Sequence, residues 1–224
     1  MSERENILAR IREALVIPAP KSGHKPKAVS QEVEKDYAAF LPAVGTSFEE
    51  HQKQFELNAV DLKAGFHLLE NASEVGATLA KIGDSEGWKK VASHRGALTL
   101  PVCEALGLAT LFVDDTYDPD EMEGCDAGIT ECDALVAQTG SVLVTSRSAG
   151  GRALSVLPPH HIVLARRNQM VADLPAAFAL LKHKYGTDFP SMISFITGPS
   201  RTGDIERILV LGAHGPKKLT ILCH

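Results

Sequence analysis

The apolar run Ser191-Met192-Ile193-Ser194-Phe195-Ile196 leads into Thr197-Gly198-Pro199-Ser200-Arg201-Thr202-Gly203-Asp204-Ile205-Glu206. The apolar residues are typical of a β-strand, the glycine and proline predict a turn, and the polar residues after them predict the start of a helix. Hydroxyl groups, free backbone N–H groups and a guanidinium group would meet where that helix begins, and such groups bind small anions. The stretch therefore predicts a strand–turn–helix unit with an anion site at its turn.

A second glycine-bounded segment, Gly212-Ala213-His214-Gly215-Pro216-Lys217-Lys218, follows a few residues later. It is expected to end the predicted helix and to lead into a last strand over residues 219–222. A histidine in such a segment is typical of an exposed turn, where it titrates near neutral pH. Two turns that bracket one short helix indicate a single site.

Helix-like and strand-like segments alternate upstream of this region. A helix capped by Thr46 or Ser47 precedes a strand candidate at 66–69, and residues 133–137 fit either a strand or a helix. Further helices are predicted at 74–82, 100–106 and 174–184, the last capped by Asp173, and further strands at 89–92, 110–113, 141–145 and 161–165. This alternation predicts an α/β fold with a parallel sheet and covering helices, and the sheet is expected to continue through the C-terminal half.

The N-terminal segment has a different character. Ile7, Leu8, Ile11 and Leu15 recur at helical spacing and predict an amphipathic helix over residues 3–15, whereas the prolines and lysines of residues 16–30 predict a linker. We therefore divide the chain into a helix and linker at 1–30 and an α/β domain at 31–224. The apolar face of the helix needs a partner, which is either its own domain or another subunit.

Composition limits the classes of protein that fit this chain. Its 224 residues are 44% hydrophobic and 23% charged, with a formal net charge of −5, so one main core is expected and the broad basic field of a nucleic-acid-binding protein is absent. The charged N-terminus and the lack of a bilayer-length apolar run predict a cytoplasmic protein without a membrane span. Cys103, Cys125, Cys132 and Cys223 form no C-x-x-C pair, so no metal site or iron–sulfur cluster is predicted in this chain.

The turn after residue 196 supplies the main candidates for ligand binding. Arg201 suits a carboxylate, which it can hold through two parallel hydrogen bonds, while Ser200 and Thr202 add hydroxyl groups and Gly198 permits close approach. Asp204 would pair with Arg201, bind a cation or act as a base on a substrate hydroxyl. The simpler alternative is that Ser200, Thr202 and Asp204 only cap a helix.

Two more segments contribute candidate residues. His214 is a candidate general base, or a hydrogen-bond partner for an α-hydroxy or α-keto group, and Gly215 beside it would allow a ligand to approach; the alternative is a turn histidine without a task. Thr139, Gly140 and Glu131 are candidates for a second wall of the pocket. Glu131 would orient a basic partner or act as an acid or base, unless it is an ordinary solvated carboxylate at the end of a strand.

Other motifs favour ordinary structure. His160 and His161 suggest a metal, but neighbouring residues of a strand point to opposite faces and do not easily share one ion. The segment Gly150-Gly151-Arg152 fits a lid or a phosphate contact less well than a surface loop. The chain has no G-x-G-x-x-G after a strand, no Walker A lysine and no nucleophile elbow, which argues against the commonest dinucleotide-binding proteins, NTPases and hydrolases.

The linked motifs resemble the LUD domain of lactate utilization proteins. They are Gly128-Ile129-Thr130, Gln138-Thr139-Gly140, the stretch from Thr197 to Glu206 and Gly212-Ala213-His214-Gly215-Pro216, and the resemblance covers roughly residues 40–224. It implies a fold like that of the phosphosugar isomerase and CoA-transferase superfamily, with a central, mainly parallel sheet that has helices on both faces. It also implies participation, with two iron–sulfur partner proteins, in the oxidation of L-lactate to pyruvate.

Three functional hypotheses follow. The first is a subunit of a lactate-oxidising complex, in which Arg201 holds a carboxylate, His214 lies near the substrate hydroxyl and the iron–sulfur clusters belong to partner subunits. The second is a phosphosugar- or CoA-type transferase or isomerase that uses Glu131 or Asp204. The third is a non-catalytic assembly or regulatory module whose N-terminal helix binds a partner.

Overall fold

The computed structural model describes residues 3–16, 41–205, 208–211 and 214–224, and the chain divides into two compact units, Met1–Leu41 and Pro42–His224. The first unit contains helix α1 (Glu3–Val16), which confirms the predicted N-terminal helix, and its Ile7 and Leu8 are exposed. The predicted linker lies largely outside the described residues. Across the described ranges, no helix combines the length and the apolar character that a membrane crossing needs.

The second unit contains the remaining elements. Its helices are α2 (Phe48–Leu62), α3 (Ala72–Glu86), α4 (Thr99–Leu106), α5 (Pro119–Glu123) and α6 (Leu174–Tyr185). Its strands are β1 (Gly65–Leu68), β2 (Lys90–Ser93), β3 (Ala109–Phe112), β4 (Ala127–Glu131), β5 (Ala134–Val136), β6 (Ser141–Thr145), β7 (His160–Ala165), β8 (Met170–Val171), β9 (Ile193–Ile196), β10 (Arg201–Ile205), β11 (Ile208–Leu211) and β12 (Lys218–Cys223). A 3₁₀ turn spans Arg167–Gln169.

A six-stranded sheet in the order β1-β12-β7-β4-β2-β3 forms the centre of this unit, and every neighbouring pair in it is parallel. Residues of β7 alternate between its two faces, as the pleat of a strand requires. Ile162 and Leu164 pack with α3 and α4, whereas Val163 and Ala165 pack with Phe55 and Ala59 of α2. The predicted fold, a mainly parallel sheet with helices on both faces, is confirmed.

A second, smaller sheet has the order β8-β5-β6-β9. Its β5–β6 and β6–β9 pairs are antiparallel, and its two faces pack against the central sheet and against α6. The central sheet continues through the C-terminal half in β7 and β12, as expected, but the predicted strand at 141–145 lies in this second sheet. The ambiguous segment 133–137 contains strand β5, and both β6 and β9 join this separate layer.

The predicted helix after residue 200 is also wrong. Strands β10 and β11 occupy this part of the chain and pair antiparallel, with Arg201 opposite Leu211 and Thr202 opposite Val210. The sequence is consistent with strands, because Ile205 and the run 208–211 are rich in β-branched and large apolar residues. The turn at 197–200 therefore connects two strands, and no helix N-terminus contributes to the predicted anion site.

Helix α2 is the element that positions the candidate site described below. Ser47 caps it as predicted: the Ser47 Oγ accepts from the Glu50 backbone N–H at 3.2 Å, and a Glu50 carboxylate oxygen accepts from the Ser47 N–H at 2.9 Å. Such a capping box satisfies N–H groups that a helix leaves unpaired at its start. At the other end, Lys63 adopts a left-handed conformation with φ of 62° and ends the helix.

Candidate functional site

Three turns meet near the C-terminal end of α2, where the first two lie against the helix and the third contacts the second. They are the turn before β6 at 138–140, the turn between β9 and β10 at 197–200, and the segment 214–216 before β12. A chain of hydroxyl groups joins the first two, since Ser141 Oγ lies 2.7 Å from Thr139 Oγ1 and 2.7 Å from Thr197 Oγ1. We call the group Thr139, Gly140, Ser141, Thr197, Gly198, Ser200, Arg201 and Gly215 the turn cluster.

Glycine lets both of the first two turns lie against α2. Gly140 has a φ of 65°, and a Cβ at this position would come within 2.7 Å of Asn58 Cβ. Gly198 has a φ of 87°, and its Cβ would lie 3.1 Å from the Leu62 carbonyl oxygen. The Asn58 side-chain amide also donates to the Ala137 carbonyl at 2.7 Å. The predicted need for glycine at these turns therefore has a steric cause in the packing of α2.

The third turn meets the second at Ser200. The Ser200 backbone N–H donates to the Pro216 carbonyl at 2.9 Å, and a Cβ on Gly215 would lie 3.3 Å from Ser200 Cβ. The two glycine-bounded segments that the sequence pairs into one site are thus in contact. The structure achieves this contact without the short helix that was predicted to lie between them.

Arg201 is an exposed residue whose guanidinium group donates to the Leu62 carbonyl oxygen. Leu62 is the last residue of α2, and the carbonyl groups at a helix C-terminus attract cations. A guanidinium has five N–H donors, so this contact fixes the side chain and leaves donors for another group. Within the described part of the chain, Arg201 forms no ion pair with a carboxylate.

The other predicted members of this site have fewer described contacts. His214 is exposed at a bend, one residue from Gly215. Thr202 and Asp204 lie in β10, but the positions of their side chains are outside the described structure. The predicted roles of these three residues stay predictions.

Glu131 has its contacts in a different region. One of its carboxylate oxygens accepts from the backbone N–H groups of Leu98 and Thr99, at 2.7 and 3.4 Å, and its own N–H donates to His94 Nε2 at 3.3 Å. The carboxylate therefore caps the start of α4 at the end of strand β4. The contacts of Thr139 lie instead with Ser141, so the two residues predicted to share a pocket wall do not contact the same groups.

The two adjacent histidines have separate partners, as expected for strand neighbours. His160 bridges Glu86 and Thr220 at 3.1 and 2.9 Å, whereas His161 Nε2 lies 2.8 Å from Thr130 Oγ1. Burial lowers the pKa of both imidazoles, that of His161 to about 3. Neutral imidazoles in these contacts serve packing and hydrogen bonding.

The structure also contains a buried polar group that the sequence did not single out, which we call the Asp133 cluster: Asp133, Thr145, Ser148, Lys184 and Tyr185. Asp133 Oδ1 accepts from Lys184 Nζ at 2.5 Å and from the Tyr185 hydroxyl at 2.7 Å, while Oδ2 is buried without a hydrogen bond. Burial works against ionisation, but these donors lower the pKa of Asp133 and raise that of Lys184. The partners are 51 and 52 residues apart in sequence, so no local pattern identifies them.

The cysteines do not fit an iron–sulfur cluster. All four are buried, with Cys103 and Cys125 in separate apolar clusters and Cys132 and Cys223 together in a third. Burial raises the pKa of each thiol, that of Cys223 to about 11, which disfavours the thiolate that a metal requires. No group of three or more potential metal ligands occurs among the residues that the structure describes.

Comparison with known proteins agrees with this architecture. The fold defines an α/β protein with a parallel sheet and a smaller antiparallel sheet. The crystal structure of a DUF162 family protein from Deinococcus radiodurans has the same fold, with a TM-score of 0.63 at 24% identity, and the match covers 80% of this chain and 99% of that one.

More specifically, the model of the LUD domain matches residues 117–223, which confirms the resemblance over that range and includes all three converging turns. Lactate utilization protein C from Shouchella clausii is 38% identical over 106 residues, or 47% of this chain and 46% of that protein. Lactate utilization protein C from Anoxybacillus flavithermus is 35% identical over 112 residues, or 49% of this chain and 50% of that protein. The matched part therefore spans about half the length of these curated relatives.

Proposed function

We propose that this chain acts in lactate utilization as a subunit of a cytoplasmic system that oxidises L-lactate to pyruvate, and that its turn cluster binds the carboxylate substrate. The observation that carries the proposal is the contact of two turns with α2, and of a third turn with the second, beside a hydroxyl chain and the exposed guanidinium of Arg201. The LUD-domain match over residues 117–223 and the names of the relatives support the same role.

Arg201 is the proposed carboxylate ligand. Its contact with the Leu62 carbonyl fixes the position of the guanidinium, and its remaining N–H groups suit two parallel hydrogen bonds to a carboxylate. Ser200 and Thr202 are proposed to add hydroxyl donors, and Gly198 and Gly215 let the turns that carry these residues pack closely against Leu62 and Ser200. Lactate has one carboxylate and one hydroxyl on adjacent carbons, which suits a guanidinium group with hydroxyl donors beside it.

His214 is proposed to interact with the substrate hydroxyl. It is exposed and precedes Gly215, which contacts Ser200, so a ligand on Arg201 and Ser200 would lie near it. A neutral imidazole can accept the hydroxyl proton when lactate is oxidised. We propose that the Asp204 carboxylate supports the site by accepting a hydrogen bond from His214 or from Arg201. Glu131 is not included, because its carboxylate caps α4.

The electrons require another acceptor. Conversion of lactate to pyruvate releases two electrons and two protons, and the described cysteines do not fit an electron-accepting cluster in this chain. We therefore propose that iron–sulfur lactate utilization proteins are the partners, and that this chain binds and orients the substrate. Isolation of the tagged chain from lactate-grown cells, with iron analysis and partner identification, tests this assembly.

The binding experiment uses two matched arginines. Arg152 is also exposed and also donates one hydrogen bond to a backbone carbonyl, that of Ser191. We expect Arg201→Gln to weaken L-lactate binding to the full chain at least tenfold by ligand-observed NMR, and Arg152→Gln to change it less than twofold. Equal affinity of wild type and folded Arg201→Gln would contradict the proposal. Tighter binding of ribose 5-phosphate than of lactate would favour the phosphosugar-type alternative.

A further inference from the structure

A cavity of about 400 Å³ lies between α3 and α4, and none of its lining residues belongs to the turn cluster. Leu164 of β7, His224 after β12 and Leu98 after β2 bring it to the carboxyl ends of the parallel strands. Ligands of parallel α/β sheets bind at this edge, and small-molecule pockets commonly have volumes of about 300–1,000 Å³. The cavity therefore has the position and the size of a ligand site.

Small residues make up much of the cavity lining. Helix α3 contributes Ala72, Gly76, Ala77 and Ala80, and the opposing segment contributes Ala97, Pro101 and Ala105. The larger apolar lining residues are Val75, Leu98, Val102 and Leu164. A Cβ built on Gly76 meets no atom within 4 Å, so the space beside this helix is open. A flat ring system between two apolar walls gains contact on both of its faces.

The polar lining groups come from the end of β12 and the start of α3, which are neighbours because the Leu69 N–H donates to the Cys223 carbonyl at 2.7 Å. Ser73 and His224 carry the polar side chains among its lining residues. The Ala72 and Ser73 N–H groups begin α3, where backbone donors lack helical partners, and they form no hydrogen bond with other described residues, because the Asn71 cap is taken by Glu74. Burial, with Arg166 and Arg167 nearby, lowers the pKa of His224, so its neutral ring also offers an N–H donor.

We propose that the cavity between α3 and α4 binds a small, flat aromatic molecule that places a carboxylate or similar anionic acceptor against His224 and the first N–H groups of α3. The two helices supply the apolar contact, and the donors at one end orient the ligand. This second site does not rest on the proposed carboxylate site at Arg201, because the two share no residue.

The test uses 2-naphthoate as the probe and the full chain labelled at its alanine methyl groups. We expect saturable NMR shifts at Ala72, Ala77, Ala97 and Ala105. Gly76→Leu fills the open space and should weaken probe binding at least tenfold. Because leucine is also the better helix former, the variant should keep its melting temperature. Lys81→Leu adds the same side chain at an exposed position of α3 that does not line the cavity, and should change binding less than twofold.

Two results would overturn the proposal. One is the absence of saturable shifts at these methyl groups, or equal probe affinity in wild type and Gly76→Leu. The other is binding of the cationic counterpart 2-naphthylmethylamine as tightly as 2-naphthoate, because the donors at the His224 end should favour the anion at least tenfold. L-Lactate binding measured in Gly76→Leu should stay unchanged, which separates this site from the turn cluster.

Discussion

The turn cluster and the Asp133 cluster use similar polar side chains in opposite ways. In the Asp133 cluster the carboxylate is inaccessible to solvent, and its donors are side chains of α6. In the turn cluster, glycines let the turns pack on α2, and Thr197 and Arg201 are exposed. The comparison suggests that the buried group contributes mainly to stability, whereas the turn cluster keeps donors for a ligand.

The largest effect is expected from breaking the buried ion pair. Lys184→Met would leave the Asp133 carboxylate buried without its cation, which typically costs about 3–5 kcal/mol. Since the Lys184 side chain is half exposed, we expect about 3 kcal/mol of lost unfolding free energy in urea titrations. Lys182→Met, an exposed neighbour on α6, is the control and should cost under about 0.5 kcal/mol. A similar loss in both variants would contradict a stabilising role for the pair.

The next effect concerns the packing of the turn cluster on α2. Gly140 and Gly87 have similar φ values of 65° and 70°, but only a Cβ at Gly140 would collide with a neighbour. Left-handed backbone costs about 1–2 kcal/mol for alanine, and overpacking adds about 1–3 kcal/mol. Gly140→Ala should therefore lose about 1–2 kcal/mol more unfolding free energy than Gly87→Ala. Equal losses of unfolding free energy in the two variants would mean that α2 shifts to accommodate the added methyl group at little cost.

The pH dependence of the unfolding free energy tests the burial of His161. The pKa of His161 is lowered to about 3, so between pH 6.5 and 5 the unfolded chain binds a proton that the folded chain does not. Stability from this group is complete above about pH 6.5 and declines as the pH falls toward 3. Wild type should lose about 2 kcal/mol more than His161→Gln between pH 6.5 and 5. Equal losses in wild type and His161→Gln over this range would contradict the prediction.

The smallest effect on stability should come from the exposed arginine. Arg201→Ala removes one hydrogen bond to the Leu62 carbonyl at the surface, and we expect a loss below about 1 kcal/mol in the same urea titrations. Its effect on lactate affinity should be much larger than its effect on stability. A loss of several kcal/mol would instead indicate that Arg201 belongs to the structure of α2 rather than to a ligand site.

Most individual elements were predictable, because local patterns report them directly. The Ser47 cap of α2, the Asp173 cap of α6 and the β-branched run at 141–145 all appear as expected. The helix predicted after Ser200 failed for a physical reason. Polar turn residues resemble a helix cap, but the following chain has the β-branched residues of a hairpin.

Local sequence patterns predicted most of the element types, the glycine-containing turns and the resemblance to the LUD domain, because each depends on neighbouring residues or on ordered motifs. Tertiary structure decided which strands form the parallel sheet and which form the second sheet, since periodicity reports that a face is buried but not what covers it. It also decided the partners of polar groups. The Glu131 carboxylate accepts a hydrogen bond at the start of α4, whereas Asp133, two positions later, accepts one from Lys184 of α6. The two residues differ because the chain passes between them from the central sheet to the second sheet.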